Sequence, residues 1–224
     1  MNRIAVFDTE TTGLSTRDDR IVTAYLGILG PEGVVEEERY WLADPGIAIP
    51  PRATAVHGIT TERAQAEGRP APEVVAEILE GLQAVFDQGL ALVVYNATYD
   101  LSLTHSEALR YGLPGLANPR PVVDPLVIDR ALDTYRRGKR TLDDVSSFYG
   151  VLNEAAHNAR GDAITAGLVA RALVERFPDA MADLSALHDS QVDWAFRWAE
   201  SFRRYLESQG RPAGGLSGHW PIEG

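Results

Sequence analysis

The apolar run Ile4-Ala5-Val6-Phe7 leads directly into Asp8-Thr9-Glu10-Thr11-Thr12-Gly13-Leu14, and this junction restricts the fold more than any other stretch. Four apolar residues, partly β-branched, read as a strand buried on both faces of a sheet. Side chains alternate along a strand, so Asp8 and Glu10 point to the same side. Two carboxylates about 4 Å apart, in an effective dielectric of about 20, repel by roughly 4 kcal/mol. With 32 acids in the chain, such a spacing also arises on solvated edges. At the end of a buried strand a cation must relieve the repulsion, and hard divalent ions bind carboxylate oxygens. These residues alone point to an α/β domain with a carboxylate cluster at a strand end.

The eight residues Phe7 to Leu14 resemble the first motif of the DnaQ-like, DEDDh-type 3′-5′ exonucleases. Two later segments resemble the family's other motifs, in the same order. Tyr95-Asn96-Ala97-Thr98-Tyr99-Asp100-Leu101 follows the apolar run 90–94, and its Asp100 stands where the family has a metal-binding acid. Tyr95 departs from the His that is common before Asn-Ala, which bears on local hydrogen bonding and not on the acid. His157-Asn158-Ala159-Arg160-Gly161-Asp162-Ala163 brings a His followed five residues later by an Asp. Five helical residues rotate about 140° off a common face. His157 is therefore expected in a loop, and Asp162 near the start of a helix that continues through Ile164, Leu168 and Leu173. The His places the chain in the DEDDh branch rather than the branch with Tyr at that position.

The resemblance covers residues 3–175 and implies a ribonuclease H-like α/β fold, with a five-stranded mixed sheet and helices on both faces. It implies that Asp8, Glu10, Asp100 and Asp162 hold two Mg²⁺ or Mn²⁺ ions about 3.5 to 4 Å apart, suited to in-line displacement at phosphorus. By the same resemblance, His157 takes the proton of the attacking water, its unperturbed pKa being nearest neutrality. Gly13 and Leu14 would lie against the terminal nucleotide, with Leu14 on its base. Asn96 and the pair His57-Gly58, within Ala55-Val56-His57-Gly58-Ile59-Thr60, are carried over as substrate contacts; a His before a Gly also fits plain loop chemistry. The implied substrate is a single-stranded 3′ end, with DNA favoured. An oligoribonuclease-like or RNA-trimming enzyme is one alternative. A non-catalytic nucleic-acid-binding module is another, but it would lack a carboxylate or the His, and none is missing; a polymerase-associated module docking through the C-terminal helix is compatible with the sequence and need not exclude activity.

The remainder of the chain is read from pattern. Residues 20–29 and 34–42 are expected strands around the turn Gly30-Pro31-Glu32-Gly33, making a meander with the first. Residues 44–51 read as a surface loop, and 72–86 as a helix with a wide apolar stripe. Asp124 follows a last short strand, within Pro121 to Pro125, and is assigned no chemistry. Arg136-Arg137-Gly138-Lys139-Arg140 is either a solvated loop or a phosphate contact. Thr141 caps a short helix, and His105 is expected at the surface. Residues 181–208 read as one long helix with the stripe Leu184, Leu187, Val192, Ala195, Trp198, Phe202 and Tyr205, broadened by Trp194. This helix either packs back on the domain or docks a polymerase or other replication partner. The expected division is an exonuclease domain over 1–177 and a helical extension and tail over 178–224. A net charge of −11 argues against broad binding to duplex DNA and for short, metal-dependent contacts. The chain has no cysteine, which excludes disulfides and thiolate metal sites. No apolar stretch approaches the roughly 18 residues of a membrane span. A soluble, cytoplasmic chain without a leader is the expectation.

Overall fold

In a computed structural model of the chain, which describes residues 2–152, 158–212, 214 and 216–223, the acid-bearing strand β1 (Ile4–Thr11) lies inside a mixed sheet. It pairs antiparallel with β2 (Ile21–Leu29), which pairs antiparallel with β3 (Val35–Asp44). Two short helices follow, α1 (Pro51–His57) and α2 (Thr61–Glu67), and then β4 (Arg69–Pro70) and α3 (Ala71–Asp87). The second half holds β5 (Ala91–Val93), α4 (Ala97–Arg110), β6 (Val122–Val123), α5 (Pro125–Leu132), α6 (Leu142–Phe148), α7 (Ala159–Arg176) and α8 (Leu184–Ser208). The sheet order is β4-β3-β2-β1-β5-β6, with β5 parallel to both β1 and β6.

Alternation along β1 builds both halves of the core. Ala5 and Phe7 face one way, into a cluster with Val74, Val75, Ile78 and Leu82 of α3 and Leu101 of α4. Ile4 and Val6 face the other way, against Ala163, Ala166, Val169, Ala170 and Leu173 of α7. All four β1 residues are fully buried, which is why the run shows no polar alternation. Gly167 lets α7 lie close on the sheet: a Cβ there would come within 2.6 Å of both Leu29 Cδ1 and Val6 Cγ1.

The sheet has six strands rather than five. The added one, β4, pairs parallel with the end of β3 through Ala43↔Arg69 and Asp44↔Pro70. Two residues carry no periodicity, and Gly68 admits them only through contact with distant backbone, since a Cβ there would stand 2.6 Å from Asp44 N. Helices α1, α2 and α5 also escape a reading by stripe, being seven or eight residues long. Their signals are punctuation: Pro51 and Pro125 in the first turns, and Thr60 accepting a bond from Arg63 N.

Helix α8 packs back on the domain through part of the expected stripe, Leu184, Leu187, Trp194 and Ala195, but the buried face is turned away from the remainder of it. Leu187, His188, Gln191, Ala199 and Leu206 are buried, whereas Val192 and Tyr205 are exposed. The reason is the free edge of β6. His188 Nδ1 accepts from Val122 N at 3.1 Å, Gln191 Nε2 donates to Val122 O at 2.9 Å, and Gln191 Oε1 accepts from Asp124 N at 2.7 Å. Two side chains of a helix thus satisfy backbone groups that another strand would otherwise take.

Candidate active site

The ladder between β1 and β5 ends at Val6↔Val93, so Asp8 and Glu10 project past the end of the parallel strands, where α/β sheets open a crevice. Both acids lie on the α7 side of β1, the face set by Ile4 and Val6. Helix α7 supplies Asp162 from its first turn, started by Asn158, whose Oδ1 accepts from Gly161 N at 2.9 Å. One ligand oxygen each from Asp8, Glu10 and Asp162 lies within 4.8 Å of the other two. Thr9 faces the opposite way, towards α4, where its N and Oγ1 donate to Asp100 Oδ1 at 3.0 and 2.6 Å. Asp8, Asp100 and Asp162 line one hollow of about 400 Å³, together with Tyr95, Asn96, Arg130 and Arg140.

This crowding moves Asp8, Glu10 and Asp100 in the same direction. Burial, then the charges of Asp100, Glu10 and Asp162, hold the Asp8 carboxyl well above its ordinary range. Burial, then Asp162 and Asp100, push Glu10 up to about 7. Burial takes Asp100 to about 7 against the opposing bonds from Thr9. Without a cation, part of the cluster holds protons at neutral pH. Carboxylate oxygens that converge from three elements, those of Asp8, Glu10 and Asp100 resisting ionisation, are a donor set suited to a hard divalent ion. Asp8, Glu10 and Asp162 can hold one, and Asp100 stands beside them in the same hollow.

The residues carried over as substrate contacts divide into two groups. Gly13, Leu14 and His57 line a second, mainly apolar hollow of about 360 Å³, with Glu10, Thr11, Val56 and Tyr99. Gly13 sits where a Cβ would meet Asp19 Oδ2 at 2.5 Å, and Asp19 ties the loop by accepting from Thr12 Oγ1 and Ser15 N. The loop presents Leu14 at 85% exposure, an apolar side chain held out beside the hollow. His57 ends α1; its Nδ1 accepts from Ile59 N, and its Nε2 is buried with no hydrogen-bond partner among the described residues. Gly58 is not in this hollow: at φ 75° it closes α1, where only glycine adopts the turn freely. Asn96 is also outside it, but borders the carboxylate hollow and shares another with Leu14; it is exposed at φ 63° ahead of α4. His157 lies outside the described residues.

Several supporting residues could not be assigned from sequence. Asp124, given no chemistry, is buried and accepts from Asn96 N, Ala97 N and Leu126 N at 2.9 to 3.0 Å, and from Trp220 Nε1 at 3.3 Å. It pins the left-handed turn that starts α4 and so sets Asp100. The Tyr99 hydroxyl donates to Gly13 O, tying α4 to the Leu14 loop. Tyr95 turns its hydroxyl to Arg140 O at 2.8 Å. Arg136 and Arg140 are not a solvated loop: both pair with the fully buried Asp129, and Arg140 also borders the carboxylate hollow. Burial works to raise the Asp129 carboxyl, but Arg136, Arg140 and Tyr149 outweigh it and leave it lowered. His105 is half-buried rather than at the surface, its ring filling the space over Gly115.

The same stretch of chain matches known proteins. The exonuclease family model RNase_T matches residues 5–169. A DNA polymerase III subunit epsilon-like protein of Rhodobacter capsulatus is 36% identical over 163 residues, covering 71% of this chain and 22% of the relative. A PolC-type DNA polymerase III of Streptococcus thermophilus is 31% identical over 163 residues, covering 72% of this chain and 10% of its own length. The chain thus spans a minor part of both relatives. Among solved structures, Escherichia coli exonuclease I in complex with a dA16 oligonucleotide superposes with a TM-score of 0.66 at 20% identity, over 80% of this chain and 42% of that one. Exonuclease I from Methylocaldum szegediense gives 0.63 at 22% identity, over 80% and 42%. Both share the ribonuclease H-like fold. The family match runs through every element that supplies a carboxylate to the hollow, and the chain belongs to the DnaQ-like exonuclease family.

Proposed function

We propose that this chain removes nucleotides one at a time from the 3′ end of a single nucleic acid strand, DNA in the first instance. The observation that carries this reading is the convergence of acids from three separate segments on one strand end, beside a hollow with an exposed Leu at its mouth. Asp8, Glu10, Asp100 and Asp162 hold Mg²⁺ or Mn²⁺, with Thr9 fixing one oxygen of Asp100. When bound, a pair of such ions makes water more acidic and draws charge from the phosphate and leaving oxygen. His157, five residues before Asp162, accepts the proton of the attacking water, as in the DEDDh branch. Oxygen bonds to phosphorus as the bond to the 3′ oxygen breaks. A nucleoside 5′-monophosphate leaves, and the departing 3′ oxygen takes up a proton from solvent to become the new 3′ hydroxyl of the shortened strand.

The Leu14 hollow receives the terminal nucleoside, with Leu14 against the base and His57 beside it; Gly58 and Asn96 act through the turns they form. The names of the polymerase III relatives support DNA as the strand and a replication polymerase as partner. Residues 178–224 form the extension to a domain over 1–177, and α8 completes the edge of its sheet. Product analysis tests the reading, using 5′-labelled single strands of DNA and RNA with and without Mg²⁺. A Mg²⁺-dependent ladder shortening from the 3′ end is expected, faster on DNA. Release of the 5′ label as a mononucleotide, or cleavage without a divalent ion, would overturn it.

A further inference from the structure

Two cations line the carboxylate hollow, Arg130 and Arg140. Arg140 is engaged by Asp129, which Arg136 shares. Arg130, on α5, differs. Among the described residues, no carboxylate stands at ion-pair distance from it and no side chain or carbonyl accepts its hydrogens. Its close contact is the ring of Trp198 on α8, 3.8 Å from guanidinium carbon to ring centroid. Arg130 is half-buried, and burial lowers its pKa. Asp124 and Asp129 act on it from beyond ion-pair distance, and a cation withdrawn from water with no anion in contact is costly. Stacking on an indole holds the plane of the guanidinium while leaving its donors to an incoming group.

The position of Arg130 indicates which group that is. It borders both the carboxylate hollow and a neighbouring one of about 520 Å³, enclosed by α5, α8 and the tail and lined by Trp194, Trp198, Leu216 and Trp220. The scissile phosphate belongs beside the carboxylates; a group on the border of the next hollow meets the strand one step further along. The chain carries a net charge of −11, so approach of a polyanion depends on individually placed cations. Resting on the exonuclease reading, we propose that Arg130, positioned by Trp198, binds the phosphate adjacent to the scissile one on the substrate strand.

The test compares the full-length chain with its Arg130→Gln, Arg130→Lys and Trp198→Leu variants on single-stranded oligodeoxynucleotides in Mg²⁺. One substrate is all phosphodiester, a second carries a single uncharged methylphosphonate at the linkage next to the terminal one, and a third carries it several linkages upstream. Arg130→Gln is expected to raise KM about 10- to 100-fold, the usual weight of a charged hydrogen bond, with the loss falling mainly on KM. Arg130→Lys should retain part of the contact, and Trp198→Leu should lose part of it. The adjacent methylphosphonate should raise KM for wild type by a similar factor and for Arg130→Gln by little, while the upstream one affects both proteins alike. The salt dependence of binding should weaken by about 0.7 in slope for Arg130→Gln, one phosphate contact on a single strand. A full further loss when Arg130→Gln meets the adjacent methylphosphonate overturns the contact, as does a variant equal to wild type. A wild type that cleaves none of the substrates overturns the exonuclease reading and this proposal with it.

Discussion

Asp8 is half-buried among acids that raise its pKa, so removing its charge relieves the metal-free fold while depriving a cation of a ligand. Asp8→Asn is therefore expected to cut nuclease activity by more than about 100-fold, beyond the effect of losing a supporting residue, with an unchanged or higher melting temperature in chelator. Near-normal turnover in this variant would remove the cluster from the chemistry. His157 makes a separate prediction, because a general base must be neutral to accept a proton. The wild-type single-turnover rate should rise with pH through the imidazole pKa. His157→Ala should lose about 10²- to 10⁴-fold in rate and the corresponding inflection. Mn²⁺ titration of the same variant should show binding close to wild type, since the four acids remain; a rate loss matched by lost metal affinity would count against the base. The acids and the His were legible because their spacing is local. Thr9, Asp124 and Tyr99 were not, because their partners Asp100, Asn96 and Gly13 lie 28 to 91 residues away.

Among the elements, α8 links fold and site most directly. Gln191 satisfies Val122 O and Asp124 N, and Asp124 in turn holds the Asn96 turn ahead of α4. Gln191→Leu keeps the volume but leaves buried backbone groups without partners, which costs about 1–3 kcal/mol each. Urea denaturation should show a loss of at least about 1 kcal/mol, and activity should fall further than stability because the start of α4 loosens. A variant as stable as wild type would mean that β6 needs no partner at its edge. The hydrophobic pattern could not reveal this role. It marks apolar residues as buried, whereas the sheet edge needs donors and acceptors, and so selects His188 and Gln191 over Val192 and Tyr205.

At the scale of the whole molecule, the carboxylate cluster couples stability to pH and to divalent ions. In the folded chain Glu10 and Asp100 titrate at about 7, above the ordinary carboxylate value near 4. Between those values the folded state binds more protons than the unfolded one, so stability falls as pH rises. The cluster's favourable contribution is complete below about pH 4 and lost as pH passes about 7. The metal-free protein should lose melting temperature from this source between pH 5 and 8, and Glu10→Gln should flatten the slope. Mg²⁺ or Mn²⁺ at a hundredfold excess over Kd stabilises by about 2.7 kcal/mol, or about 5–10 °C for a chain of this size. Differential scanning fluorimetry should show a larger ion-induced rise at pH 8 than at pH 5. A rise independent of pH would place the ion away from these acids.

The sequence by itself determined the buried strand, the shared face of Asp8 and Glu10, the order of the three acid-bearing segments and the start of α7 before Asp162. Each follows from side-chain period or spacing within a few residues, which short-range geometry enforces. Only the tertiary structure decided that β4 joins the sheet, that Arg136 and Arg140 close on Asp129, and that α8 buries a histidine and a glutamine. It also brought Trp220 of the tail onto Asp124 and left Arg130 on Trp198 with no carboxylate at ion-pair distance among the described residues. These features answer unpaired backbone groups and buried charges contributed by residues far away in the chain. Such a demand exists only once the elements have packed, so no local pattern can encode it.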